Sequence, residues 1–243
     1  MRSRYEKVKP RAVFVHGAGG GGWEWAIWQR VFAAHGWRSV ARDLLPVQKG
    51  LADTHLHDYA QQVEDWLRDD ADVHCDLLIG ASLGGLLALA VARNVEAAAL
   101  VLVNSLAPSN VEPRPACRDY AEIVPWGSAR SLSSTLRAMP DTDDAARLLA
   151  FRRWRDESGA VLREAHAMRL DAPSCPVLVI AGEVDADVPV ETSRALAHFC
   201  SGELFVVPDA SHVGPLLGRE AARTAERCLD WAERTLAARP VVQ

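Results

Sequence analysis

Gly80-Ala81-Ser82-Leu83-Gly84-Gly85 sets a serine among glycines, after the apolar run CDLLIGA at 75–81 and before an Ala/Leu-rich stretch, LLALAVAR. G-x-S-x-G between a strand and a helix is the context of a nucleophile elbow, a sharp and strained turn that exposes the serine hydroxyl. Its glycines let neighbouring backbone pass where a Cβ would clash. The bland alternative is a glycine-rich turn packed against a helix. A serine at its free pKa is a poor nucleophile, so the chemical reading needs a base and a group that orients the base. Two later loops contain such groups: Gly182-Glu183-Val184-Asp185-Ala186-Asp187-Val188-Pro189 and Val207-Pro208-Asp209-Ala210-Ser211-His212-Val213-Gly214. Each follows an apolar run of strand length, and the order along the chain is serine, acid, histidine.

A second stretch bears on the same chemistry. AVFVHGAGGGGWEW, residues 12–25, runs from an apolar segment into glycines, and Gly17, Gly19 and Gly22 satisfy G-x-G-x-x-G. Such a loop cradles a dinucleotide pyrophosphate or presents a backbone amide to a developing oxyanion. For the dinucleotide, Asp43 lies 21 residues after Gly22, where a ribose-binding acid belongs. Against it, Gly22 leads directly into Trp23, Trp25 and Trp28, bulk that suits a helix wedged against a core. The oxyanion reading assigns the amides of Ala18 and Leu83 to the reacting oxygen.

The elements that must position these residues are legible as apolar runs. AVFV at 12–15, WRSVARDL at 37–44, CDLLIGA at 75–81, AAALVLVN at 97–104, PVLVIAG at 176–182 and ELFVVP at 203–208 are apolar throughout rather than alternating. Strands covered on both faces need that pattern. Helices are predicted at 23–35, 55–70, 83–94, 190–199 and 215–237, and the alternation predicts a mostly parallel sheet of about six strands with right-handed crossovers. Residues 107–172 contain no strand-like run and carry prolines at 108, 113, 115, 125 and 140. This segment is predicted to be a helical cap or lid inserted between core segments 1–106 and 173–243.

The 243 residues, 49% hydrophobic and 24% charged with a net charge of -5, are enough for one α/β domain. The charge gives no attraction to phosphate backbones, so no nucleic-acid partner is expected. No run approaches the roughly 18 apolar residues of a membrane span, and the N-terminus lacks the apolar core of a secretory signal, so a cytoplasmic location is expected. Five scattered cysteines with no C-x-x-C pair suggest reduced, mostly buried thiols and no metal site. No cofactor is expected, and nothing in the sequence specifies an oligomeric state.

With these motifs in order, the chain resembles the α/β-hydrolase superfamily over nearly all of its length, most weakly at 107–172. Its H-G-A loop with a Gly- and Trp-rich continuation is similar to the plant methylesterase and hydroxynitrile lyase group. The resemblance implies Ser82 as nucleophile, Asp185 as acid and His212 as base. It also implies an α/β-hydrolase fold, here lacking the antiparallel hairpin that opens many members. Glu183, Asp187 and Asp209 remain alternatives for the acid. The group's lyases carry a lysine after the acid, whereas Ala186 stands here, so lyase chemistry is not expected. Ala81 replaces a histidine often found before the serine.

The expected activity is hydrolysis of a small ester through an acyl-enzyme. Thioesterase, amidase and carbon–carbon bond hydrolase reactions run on the same triad. A dinucleotide-dependent oxidoreductase and a non-catalytic ligand-binding protein on a hydrolase scaffold are the readings from other classes. His16 beside the glycines reads as a structural hydrogen-bonder more than as a base, with Gly17 next to it in the pocket. Trp126, Met139, Trp154 and Met168 are the expected apolar contacts of the lid. His35, His55, His57, His74, His166 and His198 read as surface or capping residues. Arg152, Arg153 and Arg155 read as a solvated face of a helix with Leu148, Phe151 and Trp154 inward.

Overall fold

The structure, a computed structural model, describes residues 9–68, 75–95 and 97–238. Its six principal strands are β1 (Arg11–Val15), β2 (Arg38–Ala41), β3 (Leu77–Ala81), β4 (Ala99–Val103), β7 (Val177–Gly182) and β8 (Glu203–Val207). They form one parallel sheet in the order β2-β1-β3-β4-β7-β8. The four central strands are buried at every position, and β2 and β8 form the half-exposed edges. The short pair β5 (Ile123–Val124) and β6 (Glu157–Ser158) makes a separate antiparallel ladder.

Burial on both faces explains the uninterrupted apolar runs. Val13, Val15, Leu78, Leu100, Leu102 and Val179 point into one core cluster, covered by α2 (Leu56–Arg68), α3 (Leu83–Val91), α6 (Gly159–Ala167) and α7 (Val190–Phe199). Their alternating neighbours Phe14, Ile79, Val101 and Ile180 point into the other, covered by α1 (Ala26–Ala34), α8 (Gly214–Leu217) and α9 (Ala221–Ala237). The tryptophan stripe belongs to this second core. Trp25 and Trp28 are fully buried, their rings 5.4 Å apart and nearly perpendicular, and Phe14 packs 4.9 Å from Trp25. The predicted helix at 23–35 begins as a 3₁₀ turn at Gly22–Trp25, and the one at 215–237 is broken into α8 and α9. The predicted end of the 55–70 helix lies outside the described residues, as does His74.

Residues 107–172 depart from the purely helical expectation, because β5 and β6 lie there. Two residues each are too short to register as apolar runs. The helices α4 (Leu132–Ala138), α5 (Asp144–Arg153) and α6 start at polar caps: Ser131 accepts from the Ser134 amide, Asp143 from Ala146 and Ser158 from Val161. The orientation expected for the middle helix is observed in part: Trp154 packs against the second core and Arg152 and Arg153 are exposed, but Leu148 does not face inward. Leu148 is 46% exposed, and Ala150 is the residue α5 buries.

Among the described residues no helix is long and apolar enough to cross a membrane. None of the five cysteines is in a disulfide among the described residues; Cys75, Cys200 and Cys228 are buried, Cys117 is exposed and Cys175 lies between.

Trp28 is fully enclosed, and its indole N–H donates to the Pro215 carbonyl at 2.9 Å. Trp28→Ala should lower the unfolding free energy by about 3–5 kcal/mol in urea titration. A loss below about 1 kcal/mol would show that this aromatic cluster is not a tightly packed core.

Candidate active site

The chain enters the sheet at β1, runs outward to β2 and returns to β3 on the other side of β1, so the β1 and β3 ends adjoin where the strand order reverses. Open α/β sheets bind ligands at such a point. The glycine loop leaves β1 there and the Ser82 turn leaves β3. Ser82 has φ 53° and ψ -119°, a conformation that costs a non-glycine residue energy. Glycines make the turn possible, because a Cβ at Gly80 would overlap the Gly84 carbonyl and one at Gly84 would overlap the carbonyls of Val15 and His16. Neighbouring backbone holds the strained residue: the Ser82 amide donates to Val103 O at 3.0 Å, and its carbonyl accepts from Leu106 at 3.1 Å.

Of the four acids near the two late loops, Asp185 is the one set against the histidine. Its side chain is fully buried, and Oδ2 accepts from His212 Nδ1 at 2.8 Å. Oδ1 accepts from the amides of Asp187 and Val188 at 2.8 and 2.9 Å. Glu183 instead accepts from the Asp209 amide, and Asp187 pairs with Arg118 at 3.1 Å in an exposed contact. Burial by itself would lower the His212 pKa, but the hydrogen bond and charge of Asp185 outweigh it and hold the imidazole above its ordinary value.

The histidine loop is pinned by two residues that sequence reasoning missed. Asn104, at φ 44° just past β4, donates Nδ2 to His212 O at 2.7 Å and to Ser211 O at 3.3 Å, and accepts from the Gly182 amide at 2.6 Å. Asp141 accepts from the Ser211 amide and hydroxyl at 3.1 and 2.6 Å. In sequence, Asn104 is only the absence of a carboxylate at a strand end, and Asp141 is one of ten acids in its segment.

In the glycine loop most amides already have acceptors. Gly19 donates to Glu157 Oε2 at 3.0 Å, Gly20 to Gly17 O at 3.3 Å and Gly22 to Asp43 Oδ1 at 2.7 Å. A phosphate cradle would need the amides that Glu157 and Asp43 occupy, and Asp43 is not free for a ribose. Among the described residues the amides of Ala18 and Leu83 donate to no protein acceptor. His16 is 1% exposed; its Nδ1 donates to Gly17 O at 2.7 Å and its Nε2 accepts from the Leu44 amide at 2.8 Å. Burial, with the nearby Arg155 cation, lowers its pKa to about 4, although the Gly17 carbonyl and Asp43 oppose the shift. It is a neutral rivet beneath the loop.

Arg155 belongs to that rivet and not to a solvated face. It donates to the carbonyls of Gly20 and Leu44 at 2.7 and 3.1 Å, lies 3.2 Å from His16 Nε2, and approaches Asp43 at 3.7 Å.

Ser82, His212, Gly17, Ala18 and Leu83 face one cavity of about 330 Å³. Ser82 Oγ has no hydrogen-bond partner among the described residues and is left facing this space. Trp126 and Trp154 from the 107–172 segment line the outer wall, and so does His166, which the sequence placed at the surface or at a cap. Three expected pocket residues do not line it. His16 lies below the loop, Met139 is fully buried in the core that also holds Ala150, and Met168 packs against the opposite core cluster at the end of α6.

One further lining residue was not anticipated. Glu24, between two tryptophans in the 3₁₀ turn, is 5% exposed and faces the cavity. Its carboxyl lies flat on the Cα of Gly20, where a Cβ would overlap it. Burial raises its pKa to about 8 against the opposing pull of the Gly17 and Gly21 amides, His212 and Arg155. The readable signal is a lone acid inside an aromatic and glycine-rich stretch, W-E-W.

A family model described as "Alpha/beta hydrolase family" matches residues 12–227. No curated protein matches the sequence. Among solved structures, the tomato methylketone synthase I complex with 2-tridecanone superposes with a TM-score of 0.73 at 16% identity, covering 94% of this chain and 99% of that one. A methylesterase from Arabidopsis, MES16, reaches 0.71 at 16% identity, covering 91% and 99%. A pyrethroid hydrolase from Sphingobium faniae reaches 0.71 at 22% identity, covering 92% and 97%. At these identities the likeness is one of fold.

Because His16 is held neutral, its contribution to stability is complete above the unfolded pKa of 6.5 and is lost as pH falls through about 4. The loss should reach about 3 kcal/mol at pH 4 and below. His16→Gln removes the titration, so the stability gap between wild type and variant should narrow over this window. Parallel pH curves would mean that the buried histidine carries no such linkage.

Proposed function

Since the chain belongs to the α/β-hydrolase family, we propose that it hydrolyses small esters through a covalent acyl-enzyme on Ser82. The observation that carries this reading is the convergence, on one cavity, of a serine in a strained turn, a histidine backed by a buried carboxylate, and two amides with no other acceptor. Ser82 Oγ attacks the acyl carbon while His212 Nε2 takes its proton. Asp185, bonded to Nδ1–H, fixes the tautomer that leaves Nε2 free to accept and stabilises the imidazolium. The tetrahedral oxyanion lies between the Ala18 and Leu83 amides, each worth about 3–4 kcal/mol in the best-measured case. Collapse expels the alkoxide, which takes the proton from His212. A water molecule, deprotonated by the same nitrogen, then attacks the acyl carbon and frees Ser82.

The Ser82–His212 hydrogen bond is one that forms when substrate is bound, since catalytic hydrogen bonds are often long or misaligned in unliganded sites. The cavity volume and its tryptophan-lined outer wall favour a small, partly apolar ester. The names of two structural neighbours, a methylesterase and a pyrethroid hydrolase, are compatible with this substrate class. Five cysteines outside any disulfide accord with a reducing compartment such as the cytoplasm.

Ser82→Ala should lower kcat for p-nitrophenyl acetate by about 10⁴-fold or more with the circular dichroism spectrum unchanged. A fluorophosphonate probe should label wild type at Ser82 and leave the variant unlabelled. Turnover equal to wild type in the variant would sink the assignment.

A further inference from the structure

The mechanism above makes no use of Glu24, although its carboxyl faces the same cavity as Ser82 and His212. An ionised carboxylate here would oppose the negative charge that develops on the acyl oxygen. The local construction favours the neutral acid instead. The side chain is almost wholly shielded from water and packed on Gly20 Cα, and among the described residues no ion pair or side-chain donor holds the carboxyl. With no cation to hold it as a carboxylate, the acid keeps its O–H, and the space open to that O–H is the cavity.

Resting on the serine-hydrolase reading, we propose that Glu24 is a catalytic residue, a neutral carboxylic acid whose hydroxyl donates a third hydrogen bond to the substrate's carbonyl oxygen beside the Ala18 and Leu83 amides. The acid keeps its proton throughout. Proton transfers remain between Ser82, the leaving group, water and His212, so the balance of the reaction is unchanged. Gly20 is part of the device, because its lack of a side chain is what lets the carboxyl lie in the loop.

The arrangement dictates a pH dependence. The charged groups that reach Glu24 are His212 from the loop after β8 and Arg155 from the 107–172 segment. Arg155 is already held by Gly20 O, Leu44 O and Asp43, and His212 by Asp185. Activity rises as His212 loses its proton, above the ordinary histidine value. It falls again as Glu24 ionises around pH 8, which removes the donor and puts a negative charge beside the oxyanion. The profile of kcat/KM is therefore a bell whose alkaline side belongs to Glu24.

The test compares wild type, Glu24→Gln and Glu24→Ala in p-nitrophenyl acetate hydrolysis from acid to alkaline pH, with fluorophosphonate labelling of Ser82 in each. Glu24→Gln, which keeps an N–H donor without the charge, should retain most of the activity and lose the alkaline fall. Glu24→Ala should lose on the order of a hundredfold in kcat with KM little changed. Infrared difference spectra of wild type minus Glu24→Gln at neutral pH should show the C=O band of a protonated carboxylic acid, a readout independent of how well either variant turns over substrate. An unmoved alkaline fall in Glu24→Gln, wild-type kcat in Glu24→Ala, or absence of that band overturns the role of Glu24 while Ser82 labelling leaves the hydrolase reading standing. Absence of Ser82 labelling in wild type at every pH removes the hydrolase reading, and this proposal with it.

Discussion

The site depends first on how closely the N-terminus of α3 approaches the end of β1. Gly84 lies against the carbonyls of Val15 and His16, and Gly80 against Gly84 O, at separations that leave no room for a Cβ. That approach pulls the first turn of α3 into the crevice where the strand order reverses. Ser82 takes up the geometric strain with its positive φ. A side chain at either glycine would push the serine away from the glycine loop and separate the Ala18 amide from that of Leu83. The nearly all-apolar α3, buried along its length between sheet and α2, anchors the turn against that strain.

The 107–172 segment is bound into the same construction. Glu157 takes the Gly19 amide on one oxygen and the Tyr59 hydroxyl, at 2.9 Å, on the other. Arg155 ties the glycine loop to His16 and to residue 44, and Asp141 ties down the serine before His212. Each contact crosses from the segment to a loop of the core, and several are buried and charge-assisted, where a missing partner is costly. The segment therefore orders the glycine loop and the loop that carries His212, in addition to walling the cavity with Trp126, Trp154 and His166.

Three titratable groups within this small volume are pushed in different directions by their surroundings. His16, with an amide donor on Nε2 and burial all round, is kept uncharged. His212, whose side chain is 21% exposed, is held the other way by Asp185. Glu24 has the amides of Gly17 and Gly21 but no cation bonded to it, and burial prevails. Partner geometry and depth together separate the two histidines.

The sequence by itself determined the strands, their parallel arrangement and the chain positions of Ser82, Asp185 and His212, because two-sided burial leaves uninterrupted apolar runs and an elbow needs glycines at set spacing. Residue type alone also identified Asp43 and the glycines as a possible dinucleotide site, and only the fold, by placing Asp43 on the Gly22 amide, took that option away. The resemblance already pointed to Asp185, with Glu183, Asp187 and Asp209 as alternatives, and the direction each carboxylate takes, which neighbours in sequence do not specify, sets Asp185 against His212. The same holds for Arg155, Glu157, Asp141 and Asn104, whose partners lie 70 to 139 residues away in the chain apart from local contacts. Local patterns encode periodicity and turn chemistry. Hydrogen-bond partnership across loops arises from the three-dimensional approach of segments, and for that reason Glu24 becomes a site residue only in the tertiary structure.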